Sequence, residues 1–531
     1  MSKYHSTISR RDFMKGMGLA GAGIAGLGAT APVFQDLDDV ISYDDNAKVN
    51  SGSLFPWWVK ERPFNDPTIE VDWNVLDYKK GVGNMNPDFV NLLWKGAQAT
   101  FYKENETKRR QRWAEGAKTN KNGWTYKDIA FGSGLTTARS ILRTVIPLEG
   151  WASEKDPLMS QTHGEYVTPE IYGAPPYKGD PDTNLRMIRS LLRFLGITRV
   201  GVVAIDSTTK KLFDNYVQFA DVDYARQSNT SLPTLENSSL VPVKLFPNKV
   251  KYAIVWPIRQ NATIAKLAQV REEDGIFKGF APITGKMGVY GGYAGEPVVA
   301  TQLTHCLNWL GFEAVWDRRL GRDLSGMNVC TTAWGILGGN AELGRFGCGT
   351  SPLFGNLMRR NCVIFTDLEL RPTPPIDAGI AKFCDTCKIC ADRCPSGSIS
   401  TSSKRSWDVN IFKENRGGRT WGNTDAIEGR NINHPGLNYY RTDWQSCLEY
   451  GGPHDCGICM AQCPFSNDND APIHSFIRAS VGTSSILNSF YASMDKVFYA
   501  DKNNDPESWW NRNLATWEKD FIYQKPSGKL Y

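Results

Sequence analysis

Apolar and polar positions between residues 184 and 316 follow two alternating periods. Leu185, Ile188, Leu191, Leu192 and Leu195 recur at the spacing of one helical face, and Gly196 stands where a helix C-terminus takes a left-handed residue. Ile197 to Ile205 then reads as a buried strand, and Lys251 to Ile258 as a second one. The helix–stop–strand unit returns with Val298, Val299, Leu303, Leu307 and Leu310 on one face, Gly311 as the stop and Phe312-Glu313-Ala314-Val315-Trp316 as a short strand. Helices alternating with apolar strands predict an α/β layer. Residues 32 to about 180 are rich in Trp, Gly, Pro and charge with weak periodicity, and read as a region that wraps the rest. A proline-rich linker, Arg371-Pro372-Thr373-Pro374-Pro375-Ile376-Asp377, ends the layer and leads into a cysteine-rich stretch.

With 531 residues the chain is long enough for two or three structural units around a sizeable core. Its net charge of +5, against 61 basic and 56 acidic residues, leaves no basic footprint for a nucleic-acid backbone, so no nucleic-acid partner is expected. The 17 tryptophans suit an ordinary well-filled core as well as a large apolar pocket.

The N-terminus changes the picture more. Ser9-Arg10-Arg11-Asp12-Phe13-Met14-Lys15 fits the twin-arginine pattern, and a weakly apolar Gly/Ala run leads to Ala29-Thr30-Ala31. Residues 1–31 are therefore expected to be an export signal, with Pro32 leaving the cleavage position open. That route carries folded proteins, as a chain loaded with cofactor before export requires. No later stretch has the eighteen or so apolar residues that span a bilayer, so the mature chain is expected to be soluble or held at a membrane by a partner.

Eight of the 12 cysteines crowd into the segment from 384 to 463. Cys384, Cys387, Cys390 and Cys394 follow C-x2-C-x2-C-x3-C-P, the bacterial ferredoxin run for a [4Fe–4S] cluster. Cys447, Cys456, Cys459 and Cys463 repeat it with the first gap stretched to eight residues. In two-cluster ferredoxins the fourth cysteine of each run serves the other cluster. The spacing thus assigns Cys384, Cys387, Cys390 and Cys463 to one cluster, and Cys394, Cys447, Cys456 and Cys459 to the second. Four-thiolate zinc and disulfides are the competing readings. Cys306, Cys330, Cys348 and Cys362 read as small buried apolar residues.

Other motifs fail on their spacing. Gly279 to Met287 has one residue too many for a phosphate loop and lacks its Ser or Thr, and the glycines at 288, 291, 292 and 295 miss the dinucleotide fingerprint. Six histidines, none at paired ligand spacing, argue against a histidine metal site; His305 reads as a packed or surface residue.

The twin-arginine signal, Thr366-Asp367-Leu368-Glu369-Leu370 with the RPTPPIDAGIAKFC segment after it, and the two cysteine runs together resemble the corrinoid-dependent reductive dehalogenases. The likeness runs from the signal to about residue 490 and is most specific between 340 and 465. It implies a nitroreductase-like α/β domain holding a cobalamin-type corrinoid, followed by a ferredoxin-like module with two [4Fe–4S] clusters. The implied reaction is R–X + 2e⁻ + H⁺ → R–H + X⁻, the terminal step of organohalide respiration on a small chlorinated ethene or arene. By position in the family's pattern, Tyr293 is implied as the proton donor, Arg360 as the cation that stabilises its tyrosinate, and Tyr440 as a wall of the substrate pocket. Arg319 stands where some members keep an asparagine near the halide, and Glu342-Leu343-Gly344-Arg345 matches an E-x-G-R segment of the family.

The expected division is a signal at 1–31, a wrapping region at 32–180, the corrinoid and substrate domain at 181–376, the ferredoxin-like domain at 377–475 and a helical, aromatic tail at 476–531. The resemblance also implies a small integral-membrane anchor protein, a respiratory electron donor and a place on the outer face of the cytoplasmic membrane. An epoxyqueuosine reductase would share the corrinoid and ferredoxin plan but work on tRNA in the cytoplasm, which the export signal opposes. A non-catalytic iron–sulfur carrier would leave the long stretch before the clusters without a purpose.

Overall fold

The computed structural model describes residues 55, 56, 58–76, 97–130, 177–213, 217–222, 244–270, 273–317, 329–409, 434–450, 456–467, 472–499 and 505–511. The expected signal and Arg319 lie outside these residues. Helix α1 is Ala97–Lys118 and helix α2 is Pro181–Phe194. Asp180 caps α2 by accepting from the N–H groups of Asp182 and Thr183 at 3.1 and 3.0 Å, Pro181 opens its first turn, and Gly196 ends it with φ +86°. The chain continues through β1 (Gly201–Ala204), β2 (Tyr252–Arg259), α3 (Ala262–Ala265), α4 (Thr284–Trp309), β3 (Val315–Trp316), α5 (Thr331–Leu337) and β4 (Met358–Thr366).

These four strands form one sheet in the order β1–β2–β4–β3, and every pairing in it is antiparallel. Side chains alternate across it, which explains how its strands serve two cores. Ile254, Trp256 and Ile258 of β2 and Cys362 and Ile364 of β4 pack with Leu185, Ile188 and Leu192 of α2 and Val299, Leu303 and Leu307 of α4. Ala253, Val255, Val363 and Phe365 face the other way, onto Trp334 of α5 and Phe213 and Phe246. The result is a sheet between helical layers, a mixed α/β architecture. At Gly201 a Cβ would overlap the carbonyl oxygen of Gly338, so the end of α5 meets the sheet only because that position has no side chain.

The glycine-rich segment that misses the dinucleotide fingerprint is helical. Residues 284–295 form the first half of α4, where Cβ atoms at Gly285 and Gly288 would collide with Ala268 and Ala265. Close packing against α3 and the turn after it outweighs the weak helix propensity of glycine. The proline-rich linker is pinned along the sheet edge. Thr373 exchanges backbone and hydroxyl hydrogen bonds with Val202 and donates its hydroxyl to Gly338 O at 2.8 Å. Ile376–Asp377 then pairs with Lys60–Glu61.

Beyond the linker lie α6 (Ile380–Cys387), α7 (Ile389–Asp392), α8 (Trp444–Tyr450), α9 (Ile458–Ala461), α10 (Pro472–Thr483) and α11 (Asn488–Tyr499). Helix α10 runs through the expected boundary at 475/476. Ala479, Val481, Tyr491 and Ala492 from α10 and α11 share one core with Ile380, Phe383 and Phe465, and Phe55, Trp58 and Val59 close it from the N-terminal side.

Candidate cysteine centre and the helix that faces the sheet

No disulfide joins any of the twelve cysteines. Helix α6 carries Cys384 and ends at Cys387; Lys388 turns left-handed with φ +57°, and α7 starts at once, presenting Cys390. A tight reversal of this kind is what brings thiols three residues apart to one side. In the second run Gly457, with φ +142°, makes the corresponding turn between Cys456 and α9, which carries Cys459. Helices α7 and α9 lie against each other.

Electrostatic neighbours sort the thiols into two sets. Cys387 is influenced by Cys384, Cys390 and Cys463, and Cys463 in turn by Cys384. Cys447 is influenced by Cys394 and Cys456, and Cys459 by Cys456, Cys447 and Cys394. The last cysteine of each run therefore sits with the first three of the other. Cys394 also influences Cys390, and Cys390 influences Cys459, so the two sets adjoin. Burial pushes Cys384 up to about 11 and Cys463 up to about 12, and holds Cys387, Cys390, Cys447 and Cys459 well above the ordinary thiol range, with neighbouring thiols adding to it. Buried thiols that resist ionisation individually become good ligands when a cationic centre takes their charge, so the donor set suits iron–sulfur clusters. Among the described residues, no group of three or more His, Cys, Asp or Glu side chains is gathered tightly enough to hold one metal ion.

Of the cysteines read as simple packing residues, Cys362 is fully buried in the sheet core. Cys348 differs: it packs beside Cys390, Cys394 and Cys459 around Phe346, Ala391 and Ile399, and influences Cys447. Its position, 36 residues before the first run, carries no spacing signal.

The E-x-G-R segment frames the first set. It lies in a hairpin that pairs Glu342–Leu343 with Gly349–Thr350. Glu342 is fully buried, and its carboxylate accepts the N–H groups of Ala378, Ile380 and Ala381 at 2.7, 3.1 and 3.1 Å, capping α6 at its N-terminus. Burial raises the pKa of Glu342, while those backbone donors lower it. Arg345 is bound to the carbonyl of Cys384 at the other end of the same helix. Asp385 pairs with both forks of Arg405 at 3.0 and 3.2 Å and accepts the Tyr440 hydroxyl at 2.8 Å. Tyr440 is thus placed under Arg345 and on the cluster loop; burial and the Asp385 carboxylate push its phenol up to about 12.

Asp495 on α11 lies close enough to Cys463 to influence it and accepts from Asn467 Nδ2 at 2.9 Å. Burial pushes its carboxyl up to about 7, against the opposing pull of Asn467 and Lys266. A folded-state value above the unfolded one means that this group favours the fold fully below about pH 4 and loses that contribution as pH rises through about 7. Asp495→Asn is expected to raise the melting temperature at pH 8 and to change it little near pH 4. At about 1.4 kcal/mol per pKa unit the gain is at most about 4 kcal/mol. Equal melting shifts at both pH values would show that Asp495 titrates normally.

Tyr293 is half-buried in the middle of α4, with its ring centroid 5.9 Å from that of the fully buried Tyr290. Lys286, one turn before Tyr290, has its ammonium 5.0 Å from the Tyr290 ring and 4.3 Å from the Trp113 ring. Arg360 lies at a register shift in β4, between Arg359 and Asn361, where the ladder to β2 is interrupted. Helix α4 packs on β4, so Tyr293 and Arg360 belong to adjoining elements.

No protein-family model matches the chain. A chloroethene reductive dehalogenase of Dehalococcoides mccartyi strain VS is 30% identical over 552 residues, covering 96% of this chain and 98% of that one. A trichloroethene reductive dehalogenase of D. mccartyi strain 195 is 25% identical over 578 residues, covering 96% of this chain and 97% of that one. A solved catabolic reductive dehalogenase in complex with 3-bromo-4-hydroxybenzoic acid has a TM-score of 0.53 at 18% identity, covering 86% of this chain. This chain spans about half, 51%, of the length of that solved protein, so the likeness there is one of fold. The chain belongs to the corrinoid reductive dehalogenase family, and is an oxidoreductase of that class. Among the described residues no helix is long and apolar enough to cross a membrane.

Proposed function

We propose that this protein removes halide reductively from a small chlorinated organic compound, with chlorinated ethenes as the first class to test and arenes as the second. The two full-length relatives are named for chloroethene and trichloroethene, which supports the ethene reading. The observation that carries the proposal is the sorting of eight buried or half-buried thiols into two adjoining sets of four. A cube of four irons gives each thiolate its own iron, so its ligands need not converge as they would on a single ion.

In this reading Cys384, Cys387, Cys390 and Cys463 hold one [4Fe–4S] cluster, and Cys394, Cys447, Cys456 and Cys459 hold the other. Bound clusters supply single electrons in sequence, and a corrinoid supplies a strongly reducing, nucleophilic cobalt. The chain's own residues do the rest. Residues 181–376 form the nitroreductase-like domain for corrinoid and substrate, and residues 377–475 the ferredoxin-like module. Tyr293 holds the proton that reaches carbon as halide leaves. A phenol of ordinary pKa near 10 is a reluctant acid, and Arg360 stabilises the tyrosinate left behind. Tyr440 contributes its ring to the wall between substrate and cluster, its hydroxyl being committed to Asp385. The twin-arginine signal exports the loaded protein to the outer face of the cytoplasmic membrane, where a small membrane protein anchors it and a respiratory donor reduces it.

The test is halide release by anaerobically prepared mature protein, supplied with cobalamin and a reduced viologen, against chlorinated ethenes and chlorobenzenes. Release that tracks corrinoid content is expected. No halide from protein shown to hold corrinoid and about eight irons would exclude these substrate classes.

A further inference from the structure

The environment of Arg345 is unusual for a buried cation. The residue is 2% exposed. Its Nε and Nη2 donate to the carbonyl oxygen of Cys384 at 3.0 and 2.7 Å, and its Nη1 donates to those of Ser400 and Ser402 at 2.9 Å each. A longer bond of 3.4 Å reaches Asp385 O, and the guanidinium carbon lies 3.5 Å from the centre of the Tyr440 ring. Every acceptor it uses is neutral. The two nearby carboxylates are engaged elsewhere, Asp385 with Arg405 and Glu342 with the N-terminus of α6. A positive charge is therefore held against the loop of the first thiol set; it acts on both Cys384 and Cys390, opposed at Cys384 by the Glu342 and Asp385 carboxylates. In a buried setting of low effective dielectric such a charge acts strongly and is little screened by salt.

We propose that Arg345 is a positioning residue that raises the reduction potential of the cluster held by Cys384, Cys387, Cys390 and Cys463, by fixing the Cys384 carbonyl and by favouring the state with one more electron. The step is a one-electron gain, oxidised cluster plus e⁻ giving reduced cluster, with the electron supplied by the respiratory donor or, in vitro, by dithionite. Cluster potential depends among other things on the charge around the cluster, and Arg345 supplies a buried cation next to Cys384 and Cys390. The inference rests on the cluster assignment made above. It gives the E-x-G-R segment a division of labour: Glu342 anchors the start of the ligand helix, and Arg345 sets the charge at its end.

The experiment is a redox titration of the anaerobic holoenzyme followed by electron paramagnetic resonance, with iron analysis of the same samples. Arg345→Met keeps the apolar stem and removes the charge. It is expected to retain about eight irons while one cluster, and only one, becomes harder to reduce. At a fixed ambient potential its reduced-to-oxidised ratio should fall at least tenfold, about 59 mV for a one-electron couple. Arg345→Lys keeps the charge and should stay within tenfold of the wild type. Unchanged potentials in fully loaded Arg345→Met, or equal shifts of both clusters, would overturn the proposal. Should Arg345→Met fail to load the first cluster, Arg345→Lys decides. A loaded Lys variant with near-native potential supports the role of charge, and a Lys variant that loses the cluster too shows that the fork alone matters and overturns it. Wild-type protein that binds no iron would instead remove the cluster assignment itself.

Discussion

Replacing Tyr293 by phenylalanine is expected to lower halide release by about 10²–10⁴-fold, the usual contribution of a positioned general acid. The substitution keeps the ring, so the half-buried packing in α4 and the contact with Tyr290 at 5.9 Å should survive, and corrinoid and iron content should match the wild type. Three features favour a proton donor at this position. Tyr293 sits on the helix that covers the sheet, on the element adjoining β4. That strand interrupts its ladder at Arg360, the kind of irregularity that recurs beside active sites. A tyrosinate needs a cation to form near neutral pH, and arginine stays protonated where it would be needed. Tyr290→Phe is the control, because that neighbouring ring is fully buried. Wild-type turnover in Tyr293→Phe would move the proton donor elsewhere, and equal losses in both variants would point to packing of α4.

Replacing Cys463 by alanine is expected to abolish one cluster, taking iron from about eight to about four per chain and halide release to background. The thiol belongs to the second run in sequence, yet its neighbours are Cys384 and Cys387 of the first. Cys463→Ala and Cys384→Ala should therefore lose the same paramagnetic signal, and Cys394→Ala and Cys456→Ala the other. Loss of a common signal by Cys463→Ala and Cys459→Ala would show that each run serves its own cluster. Cys306→Ala, outside both sets, should leave iron content unchanged, since that thiol sits on α4 and its pKa is raised by burial alone, with no neighbouring thiol acting on it.

Local features were legible in the chain because local geometry governs them. The stop of α2 at Gly196 follows from a left-handed residue after an apolar face, and β2 is observed at Tyr252–Arg259 where an apolar run stood. The short gaps between cysteines likewise name the loops that present them, since three residues can turn thiols to one side without help from the rest of the fold. The spacing of the runs also suggested exchange of the fourth cysteine, by analogy with two-cluster ferredoxins.

What the sequence determined by itself was thus the set of helices and strands with strong periodicity, the cysteine loops and the likeness to a family. Tertiary structure alone decided the antiparallel order of the sheet, since alternating helices and strands do not specify which strand edges meet. It also decided that residues 284–295 are helical, because close packing against α3 outweighs the cost that glycine carries in a helix. The capping of α6 by Glu342, the hold of Arg345 on Cys384, and the placing of Cys348 among the cluster thiols join positions 36 to 111 residues apart. Such contacts depend on where folded elements dock, and no spacing along the chain encodes that docking.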